Sequence, residues 1–267
     1  MKINGETKLI GFLGSTFKTS KMYAMYNAAF EALGLNYVYV PLVVKNLKKA
    51  IKGIRHLEIC AVGVTIPYKI EIIPFLDELD NNAKRIGAVN VVLNKNGKLI
   101  GGNTDGEGAV MALKEKTEIK GKKIILLGAG GAARAIAFAV KDADGELTIL
   151  NRTVSKTEEL AKAVGCQSGG LEKLSELMSS TDILINSTAV GMTPNVNQSL
   201  VDKELFHKKL TVMDIVSNPK ETKLLKEANE VDCQIIFADR MLLWQGVLKF
   251  EMYTGIKPPI KIMEKQL

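Results

Sequence analysis

Apolar and polar positions alternate in blocks along the second half of the chain. Short apolar runs that end at glycine or polar residues predict buried strands, and apolar positions at helical spacing between them predict helices. The predicted strands are 123–127, 146–150, 182–186, 211–215 and 234–237. The predicted helices are 131–141, 155–164, 171–178 and 220–229. Such alternation predicts a parallel sheet with helices on both faces.

The first half alternates in a similar way and adds a hairpin. Its predicted strands are 8–13, 36–40, 59–64, 88–93 and 98–101. Its predicted helices are 20–33, 45–53, 67–78 and 106–116. Because Lys95-Asn96-Gly97-Lys98 has the composition of a tight hairpin turn, we expect this sheet to carry an antiparallel edge.

Two α/β domains follow from this order of elements. We expect a mixed-sheet α/β domain over 1–105 and a doubly wound domain over 106–238. The last segment, 239–267, is mostly helical in pattern, and we expect it to pack back onto the first domain and complete it. Clefts between domains of this kind are where small ligands bind.

A glycine-rich turn joins one predicted strand of the second half to the helix after it. Gly128 permits a tight turn, Gly130 lets the backbone approach a pyrophosphate, and Ala133 keeps the helix close to the sheet. With Gly131 and Ala132 the turn opens a helix whose first N–H groups and partial positive charge favour an anion. The pattern therefore predicts a dinucleotide-binding site.

The next predicted strand ends in Asn151-Arg152-Thr153, which bears on the choice of cofactor. An NAD-binding fold usually has Asp or Glu at this place, where the carboxylate binds the ribose 2′-hydroxyl. A carboxylate would repel a 2′-phosphate, whereas the guanidinium of Arg152 can pair with it. The sequence therefore predicts NADP as the cofactor, with NAD less favoured.

The composition is that of a globular enzyme, with 46% apolar and 24% charged residues. No apolar run is long enough to span a membrane, and the amino-terminal residues have no signal-peptide core. The scattered cysteines, Cys60, Cys166 and Cys233, indicate thiols in a reducing compartment. We therefore expect a cytoplasmic protein.

The net charge of +7 comes from lysines spread over many segments. They do not form one basic stripe with interleaved aromatic residues, so we expect neither a nucleic-acid nor a membrane partner. A basic balance suits anionic small molecules at least as well. With two histidines and no metal-ligand spacing among the cysteines, we expect no metal site. We expect a monomer or a homodimer.

Two segments of the first half place polar side chains where strands end. Thr65 follows a predicted buried strand, and Lys69 lies at the start of the next helix. Asn103 and Asp105 lie in a glycine-flanked loop that leads into another helix. An amine and a carboxylate at neighbouring strand ends can share a proton near a substrate hydroxyl. Taken separately, however, Lys69 is more simply read as a surface lysine and Asp105 as a helix cap.

The combination of motifs changes that interpretation. In this order, the segments resemble the shikimate dehydrogenase family, including its quinate/shikimate branch, over nearly the whole chain. The first half contributes Asn27-Ala28-Ala29-Phe30, Thr65-x-Pro67-x-Lys69, Ala88-Val89-Asn90 and Asn103-Thr104-Asp105-Gly106. The second half contributes the Gly128 loop, Asn151-Arg152-Thr153, Asn186-Ser187-Thr188 with Gly191-Met192, Asp214, Asn218-Pro219 with Thr222, and Met241-Leu242 with Gln245-Gly246.

The resemblance implies a mixed α/β substrate domain, a Rossmann-type NADP domain and the reversible reduction of 3-dehydroshikimate to shikimate in aromatic amino acid biosynthesis. It implies that Lys69 and Asp105 form the catalytic pair. The substrate-binding residues that it implies are Ser20, Thr65, Asn90 and Gln245. The cofactor-binding residues that it implies are Gly128, Gly130, Gly131, Ala132, Asn151, Arg152, Thr153, Thr188 and Met241.

The chain departs from the family's pattern at four positions. A second serine of the carboxylate site is Met22, and an asparagine usually found before Val-Thr is Gly63. A tyrosine before Asn-Pro is Ser217, and a glycine before Met-Leu is Ala238. Each lost hydrogen bond to the substrate would cost about 1–3 kcal/mol of binding.

These departures leave other interpretations open. One is a quinate/shikimate-type dehydrogenase acting on a related cyclic hydroxy acid, which Trp244 slightly favours. Another is a catalytically inactive regulator that binds NADP. Met22 is more simply a core residue, because Met22, Met25, Ala29, Phe30 and Leu33 form an apolar stripe at helical spacing.

Overall fold

The computed structural model describes residues 3–16 and 20–267. The chain divides into two compact units. The first unit comprises Met1–Thr104 and Gln245–Leu267, and the second comprises Asp105–Trp244. The sequence analysis assigned residues 1–105 and 239–267 to one domain and residues 106–238 to the other. That assignment, including which domain binds the substrate and which binds the cofactor, stays a prediction.

The first unit contains a mixed six-stranded sheet. Its strands are β1 (Lys8–Gly14), β2 (Tyr37–Val43), β3 (Ala61–Val64), β4 (Glu78–Leu79), β5 (Val91–Lys95) and β6 (Lys98–Gly102), in the order β2-β1-β3-β5-β6-β4. Its helices are α1 (Lys21–Ala32), α2 (Leu47–His56), α3 (Tyr68–Glu71), α4 (Asn81–Ile86) and α11 (Ile260–Glu264). A 3-10 helix spans Ile73–Phe75.

The predicted hairpin is confirmed, but the antiparallel edge is wrong. Lys95 pairs with Lys98 across the turn, and Asn96 and Gly97 have φ of 53° and 86°, as a tight hairpin requires. The antiparallel strand is β5, which lies inside the sheet between β3 and β6. The edge strand is β4, which runs parallel to β6. Two residues are too short a run for any apolar alternation to mark β4 in the sequence.

Two other elements of the first unit differ from the prediction. The predicted helix 67–78 breaks into α3 and the 3-10 helix, because Pro74 has no N–H to continue an α-helix. The short helix α4 was not predicted, although its ends are well marked. Asp80 caps it by accepting a hydrogen bond from the Ala83 N–H at 2.6 Å, and Gly87 ends it at φ 71°.

The second unit is a doubly wound parallel sheet, as predicted. Its strands are β7 (Lys123–Leu127), β8 (Glu146–Leu150), β9 (Gln167–Gly169), β10 (Ile183–Asn186), β11 (Thr211–Asp214) and β12 (Gln234–Ile236), in the order β12-β11-β10-β7-β8-β9. Its helices are α5 (Asp105–Lys114), α6 (Gly131–Asp142), α7 (Val154–Val164), α8 (Leu174–Met178) and α9 (Lys223–Glu230), with 3-10 helices at Leu171–Lys173 and Lys203–Leu205. The helix α10 (Ala238–Thr254) contributes residues to both units.

Alternate residues of β7 show why its sequence is uniformly apolar. Ile124 and Leu126 pack in a core cluster with residues of α5 and α6, while Ile125 and Leu127 pack in the cluster on the other face. A strand covered by helices on both faces has no solvent side, so it keeps no polar alternation. The chain winds one way from β7 to β9 and the other way from β10 to β12, which places a ligand crevice at the carboxyl ends of β7 and β10.

No helix in residues 3–16 and 20–267 combines the length and the apolar character needed to cross a bilayer. All three cysteines carry free thiols.

Glu115 anchors the start of α10 within the second unit. Its carboxylate accepts hydrogen bonds from Arg240 at 2.7 and 2.5 Å and from the indole N–H of Trp244 at 2.6 Å. Burial raises the pKa of Glu115, but these donors outweigh burial and leave the pKa below its ordinary value. Trp244 therefore packs against the core of the second unit and helps to anchor α10 there.

Replacing Glu115 with glutamine should lower the stability of the protein at neutral pH by about 1 kcal/mol, because the paired charge is lost. A carboxylate with a lowered folded pKa contributes stability above its unfolded pKa, about 4.3, and loses it as the pH falls through the folded value. The difference between wild type and variant should therefore be constant near neutral pH and shrink as the pH falls below the unfolded pKa and through the lowered pKa of the folded protein. Chemical unfolding followed by the fluorescence of Trp244, the single tryptophan, measures it. The exposed Glu118 gives the control variant E118Q, and an equal effect there would contradict the assignment.

Candidate active site

The turn after β7 requires glycine at its first position. Gly128 has φ of 111°, which other residues rarely adopt, and a Cβ there would lie 2.7 Å from the Ser187 hydroxyl oxygen. Its N–H donates to the Leu150 carbonyl at 2.8 Å, which joins the turn to the end of β8. Gly128 is thus fixed by both backbone angle and space.

The next two glycines leave open space above the start of α6. A Cβ at Gly130 or Gly131 would meet nothing within 4 Å. The helix begins at Gly131, and no side chain caps its first turn. The first N–H groups of the helix, which include those of Ala132 and Ala133, therefore have no partner further back in the helix. Such a helix start fits a phosphate group.

The end of β8 lies beside this turn. Leu150 pairs with Leu127 in the parallel register, so Asn151 follows β8 at the level where Gly128 follows β7. The Asn151 amide donates to the Thr153 carbonyl at 3.3 Å. Arg152 and Thr153 are exposed. The structure therefore brings the guanidinium-bearing segment and the glycine turn to the same edge of the sheet, as the sequence predicted.

On the other side of the turn, polar side chains fix the loop after β10. Asn186 donates to the Asp214 carboxylate at 3.0 Å and accepts from the Thr188 N–H at 3.1 Å and hydroxyl at 2.8 Å. The Thr188 hydroxyl also accepts from the Val190 N–H at 3.1 Å. Thr188 thus shapes this loop through its own hydrogen bonds.

Asp214 holds the same region from β11. Its carboxylate accepts from the Thr222 hydroxyl at 2.6 Å and the Val216 N–H at 3.0 Å, besides Asn186. Burial raises the pKa of Asp214, against the lowering effect of these three donors. The network keeps the carboxyl ends of β10 and β11 in one arrangement beside the crevice.

Three other positions named in the sequence analysis differ in how far they are buried. Met241 is buried in α10 and packs in the apolar cluster that contains Ala133 and Ile185. Ala238 is buried as the first residue of α10, and Ser217 is exposed in the loop after β11.

A separate cavity of about 580 Å³ lies at the amino ends of β7 and β8, at the opposite edge of the sheet from the glycine turn.

In the first unit, the predicted site residues surround the buried side chain of Asn90. Its carbonyl oxygen accepts from the Thr104 N–H at 3.0 Å. Its amide donates to the Thr104 hydroxyl at 3.1 Å and to Oε1 of Gln245 at 3.4 Å. The Asn90 backbone carbonyl accepts from the Val64 N–H at 2.8 Å, next to Thr65. One side chain and its backbone thus join three segments far apart in sequence.

Lys69 and Asn103 are tied to the residues just before Asn90. The Lys69 carbonyl accepts from the Val89 N–H at 2.8 Å, and the Asn103 amide donates to the Ala88 carbonyl at 2.9 Å. Thr65 donates its N–H to the Leu13 carbonyl at 3.1 Å, which holds it at the carboxyl end of β1. Thr65, Lys69, Asn90 and Gln245 therefore belong to one edge of the first unit.

Asp105 follows Thr104 directly and begins α5. Its side chain is buried, and it lies within the first turn of the helix rather than before it. The side chain of Lys69 is half-buried. Lys69 is therefore not a fully exposed surface lysine, and Asp105 is a buried residue of the first turn of α5 rather than a cap before it.

Ser20 caps α1, because its hydroxyl accepts from the Met22 N–H at 3.3 Å. The core interpretation of Met22 is confirmed, since Met22 is 2% exposed and shares the buried face of α1 with Met25, Ala29 and Phe30. Leu33 is an exception to the predicted stripe: it lies at the C-cap and is 39% exposed, because the helix ends before it.

Gly63 marks a place where aromatic side chains fill the space of a larger residue. A Cβ there would lie 2.9 Å from the Tyr39 hydroxyl, 3.2 Å from Phe12 and 3.3 Å from the Tyr253 hydroxyl. Burial raises the pKa of both tyrosines. An asparagine side chain at this position would collide with these aromatic residues. The packing of the first unit therefore explains why the position is glycine.

Lys249 was not predicted as a site residue. It lies one turn after Gln245 on α10, and its ammonium donates to Oε1 of Gln245 at 2.9 Å. Its side chain is buried. The only signal in the sequence is a spacing of four residues from Gln245, which places both on one side of a helix.

Three family models match the chain. The model for the shikimate dehydrogenase substrate binding domain matches residues 12–92. The model for shikimate / quinate 5-dehydrogenase matches residues 110–235, and the model for the shikimate 5′-dehydrogenase C-terminal domain matches residues 240–267.

Full-length relatives agree with these matches. A shikimate dehydrogenase (NADP(+)) of Carboxydothermus hydrogenoformans is 44% identical, over 100% of this chain and 99% of that protein. One of Methanocaldococcus jannaschii is 45% identical, over 99% of this chain and 98% of that protein. The crystal structure of a shikimate dehydrogenase in complex with NADP+ has a TM-score of 0.93 and 44% identity, covering 99% of this chain and 96% of that chain.

Proposed function

Since this chain belongs to the shikimate dehydrogenase family, we propose that it interconverts 3-dehydroshikimate and shikimate with NADP as cofactor, as a step of aromatic amino acid biosynthesis. The chain is an oxidoreductase that acts on a CH–OH group. The observation that carries the proposal is the arrangement around Asn90 within one unit. Its amide donates to Gln245, its backbone carbonyl accepts from Val64, next to Thr65, and its neighbour Val89 donates to the Lys69 carbonyl.

The residues of the second unit fit NADP. The turn at Gly128 and the open space at Gly130 and Gly131 leave room for a pyrophosphate at the start of α6. Arg152 and Thr153 would hold the 2′-phosphate, which the guanidinium can bind with two parallel hydrogen bonds. A bound nicotinamide supplies or accepts the hydride. Thr188 would shape the loop beside it, and Met241 would support that loop from the core.

We assign the proton transfer to Lys69. In the direction of reduction, its ammonium would donate a proton to the carbonyl oxygen as negative charge develops there, and in the other direction its amine would remove that proton. A positive group beside a developing alkoxide also stabilises the charge where it forms. Asp105 would orient the ammonium and accept a hydrogen bond from a ring hydroxyl.

The polar side chains of the first unit would bind the ring. Asn90 and Gln245 would contact ring hydroxyls, Thr65 would anchor the ring, and Ser20 would contact the carboxylate from the start of α1. Because Asn90 is buried and held by Thr104, its position is fixed before any ligand arrives. Such preorganisation lowers the cost of ordering a substrate.

We also propose a cytoplasmic location, since the free thiols suit a reducing compartment. A monomer or homodimer stays a prediction, as does the lack of a nucleic-acid partner.

The proposed reaction predicts that purified protein with NADP+ and shikimate forms NADPH, seen as absorbance at the wavelength of the reduced nicotinamide. Quinate tests the quinate/shikimate alternative in the same assay. Turnover of quinate without turnover of shikimate would show that quinate, and not shikimate, is the substrate. NADP binding in a calorimeter without turnover of either acid would instead indicate the inactive regulator.

The role of Lys69 predicts that K69A lowers kcat by about 10²–10⁴-fold, because general acid–base catalysis contributes that much. The fold should be retained, as judged by the thermal midpoint and NADP affinity. The exposed lysine of α4 gives the matched control K84A, for which no change is expected. An unchanged kcat in K69A would remove Lys69 from the mechanism.

The role of Arg152 predicts that R152A weakens NADP binding by about 10–100-fold, the value of a charged hydrogen-bond pair, and leaves NAD binding nearly unchanged. Calorimetric titration with each cofactor measures the two affinities. The exposed lysine near the end of α7 provides the control K162A. Equal losses for both cofactors would show that Arg152 does not contact the 2′-phosphate.

A further inference from the structure

The cavity at the amino ends of β7 and β8 has the size of a small-molecule site. Its volume of about 580 Å³ falls within the range of about 300–1,000 Å³ that is usual for ligand pockets. The glycine turn and Arg152 follow the carboxyl ends of the same two strands, and none of the residues assigned above to NADP lines the cavity. The cavity is therefore separate from the cofactor site.

Paired residues of β7 and β8 place opposite charges beside each other at the rim of the cavity. Ile125 pairs with Thr148 in the parallel register, and Lys123 pairs with Glu146 two residues earlier. All four residues line the cavity. Because side chains alternate along a strand, the four belong to one face of the sheet. Lys123 and Glu146 are exposed and Ile125 is buried, so the charges lie at the rim and the apolar side chain lies deeper.

The deeper part of the cavity is mostly apolar. Ile125 and Leu147 are buried, and the half-buried Leu177 of α8 packs in the same apolar cluster as Ile125. Thr148 is the exception: it is half-buried, and its hydroxyl makes no hydrogen bond within residues 3–16 and 20–267. The cavity thus offers an apolar surface with one unpaired hydroxyl beneath a charged rim, a composition typical of ligand sites.

The rim charges are unpaired in the part of the chain that the structure describes. Neither Lys123 nor Glu146 forms an ion pair there. Charged side chains nearby do pair, as the Lys122 ammonium does with the Asp182 carboxylate at 3.3 Å. A simple anion would be repelled by Glu146 and a simple cation by Lys123. A molecule that carries one charge of each sign is attracted by both.

The thiol of Cys166, which also lines the cavity, does not supply a nucleophile. Burial raises the pKa of this thiol to about 11, against the lowering effect of the Lys141 ammonium. The thiolate is the reactive form of cysteine, so a thiol with this pKa is inert at neutral pH. The cavity is therefore suited to reversible binding and not to covalent chemistry.

We propose that this cavity binds an α-amino acid with an apolar or aromatic side chain. Lys123 binds the carboxylate, Glu146 binds the ammonium, and the apolar side chain of the ligand packs on Ile125 and Leu177. Lys141 lines the same cavity and adds a second positive charge for the carboxylate. The proposal does not depend on the proposed reaction, because its residues lie at the other edge of the sheet from the cofactor site.

Calorimetric titration with three small molecules tests the proposal. L-phenylalanine carries both charges, 3-phenylpropanoate lacks the ammonium, and 2-phenylethylamine lacks the carboxylate. We expect L-phenylalanine to bind, and each analogue to bind about tenfold more weakly, the value of one charge-assisted contact at a solvated rim. NADP should leave the affinity for L-phenylalanine unchanged, because the two sites are separate.

Variants of the rim residues assign each contact. K123M should weaken binding of L-phenylalanine by about tenfold and leave binding of 2-phenylethylamine nearly unchanged. E146Q should weaken L-phenylalanine in the same way and leave 3-phenylpropanoate nearly unchanged. The exposed Lys162 of α7 does not line the cavity and gives the control K162M. The thermal midpoint and NADP affinity of each variant show that it is folded.

Three results would overturn the inference. They are no binding of L-phenylalanine, equal binding of all three molecules, and displacement of L-phenylalanine by NADP, which would place it in the cofactor site. Losses in K162M that match those in K123M would remove Lys123 from the site. A protein that binds L-phenylalanine through Lys123 and Glu146 but oxidises neither shikimate nor quinate would contradict the proposed reaction and support this site.

Discussion

The first unit depends on the buried amide of Asn90. A buried polar group must find partners, since each unmade hydrogen bond costs about 1–3 kcal/mol. Asn90 meets that demand with the Thr104 backbone and hydroxyl and with Gln245, and its carbonyl accepts from the start of the Val64-Thr65 segment. The residues proposed to bind the ring are thus held together by the requirement to satisfy one side chain.

The second unit has a different requirement, because a phosphate site at a helix start needs backbone N–H groups that have no partner within the helix. The glycine turn supplies them: Gly128 makes a turn that a side chain would block, and Gly130 and Gly131 keep the helix start open. Around that opening, the Asn186–Asp214–Thr222 network holds the ends of two strands with side-chain hydrogen bonds. Strand ends that are held in place by hydrogen bonds, together with accessible backbone N–H groups, suit an anionic cofactor.

Two departures from the family's pattern, Gly63 and Met22, are explained by the residues that pack around them. Gly63 is small because the hydroxyls of Tyr39 and Tyr253 occupy the space of a longer side chain. Met22 belongs to the apolar face of α1. Both changes replace polar groups of the family's pattern with apolar or aromatic packing in the same unit. The substitutions are therefore better understood together than one at a time.

The sequence by itself determined the type and order of the long elements, the glycine turn and the segment with Arg152, because periodicity and turn chemistry are local. It also placed Lys69 and Asp105 where strands end, and the resemblance gave these two residues and Asn90 their expected roles. Only the tertiary structure decided the interior place of β5, the edge strand β4, the reason for Gly63 and the pairing of Lys249 with Gln245. These features depend on contacts between segments far apart in the chain, and local patterns carry no record of such contacts.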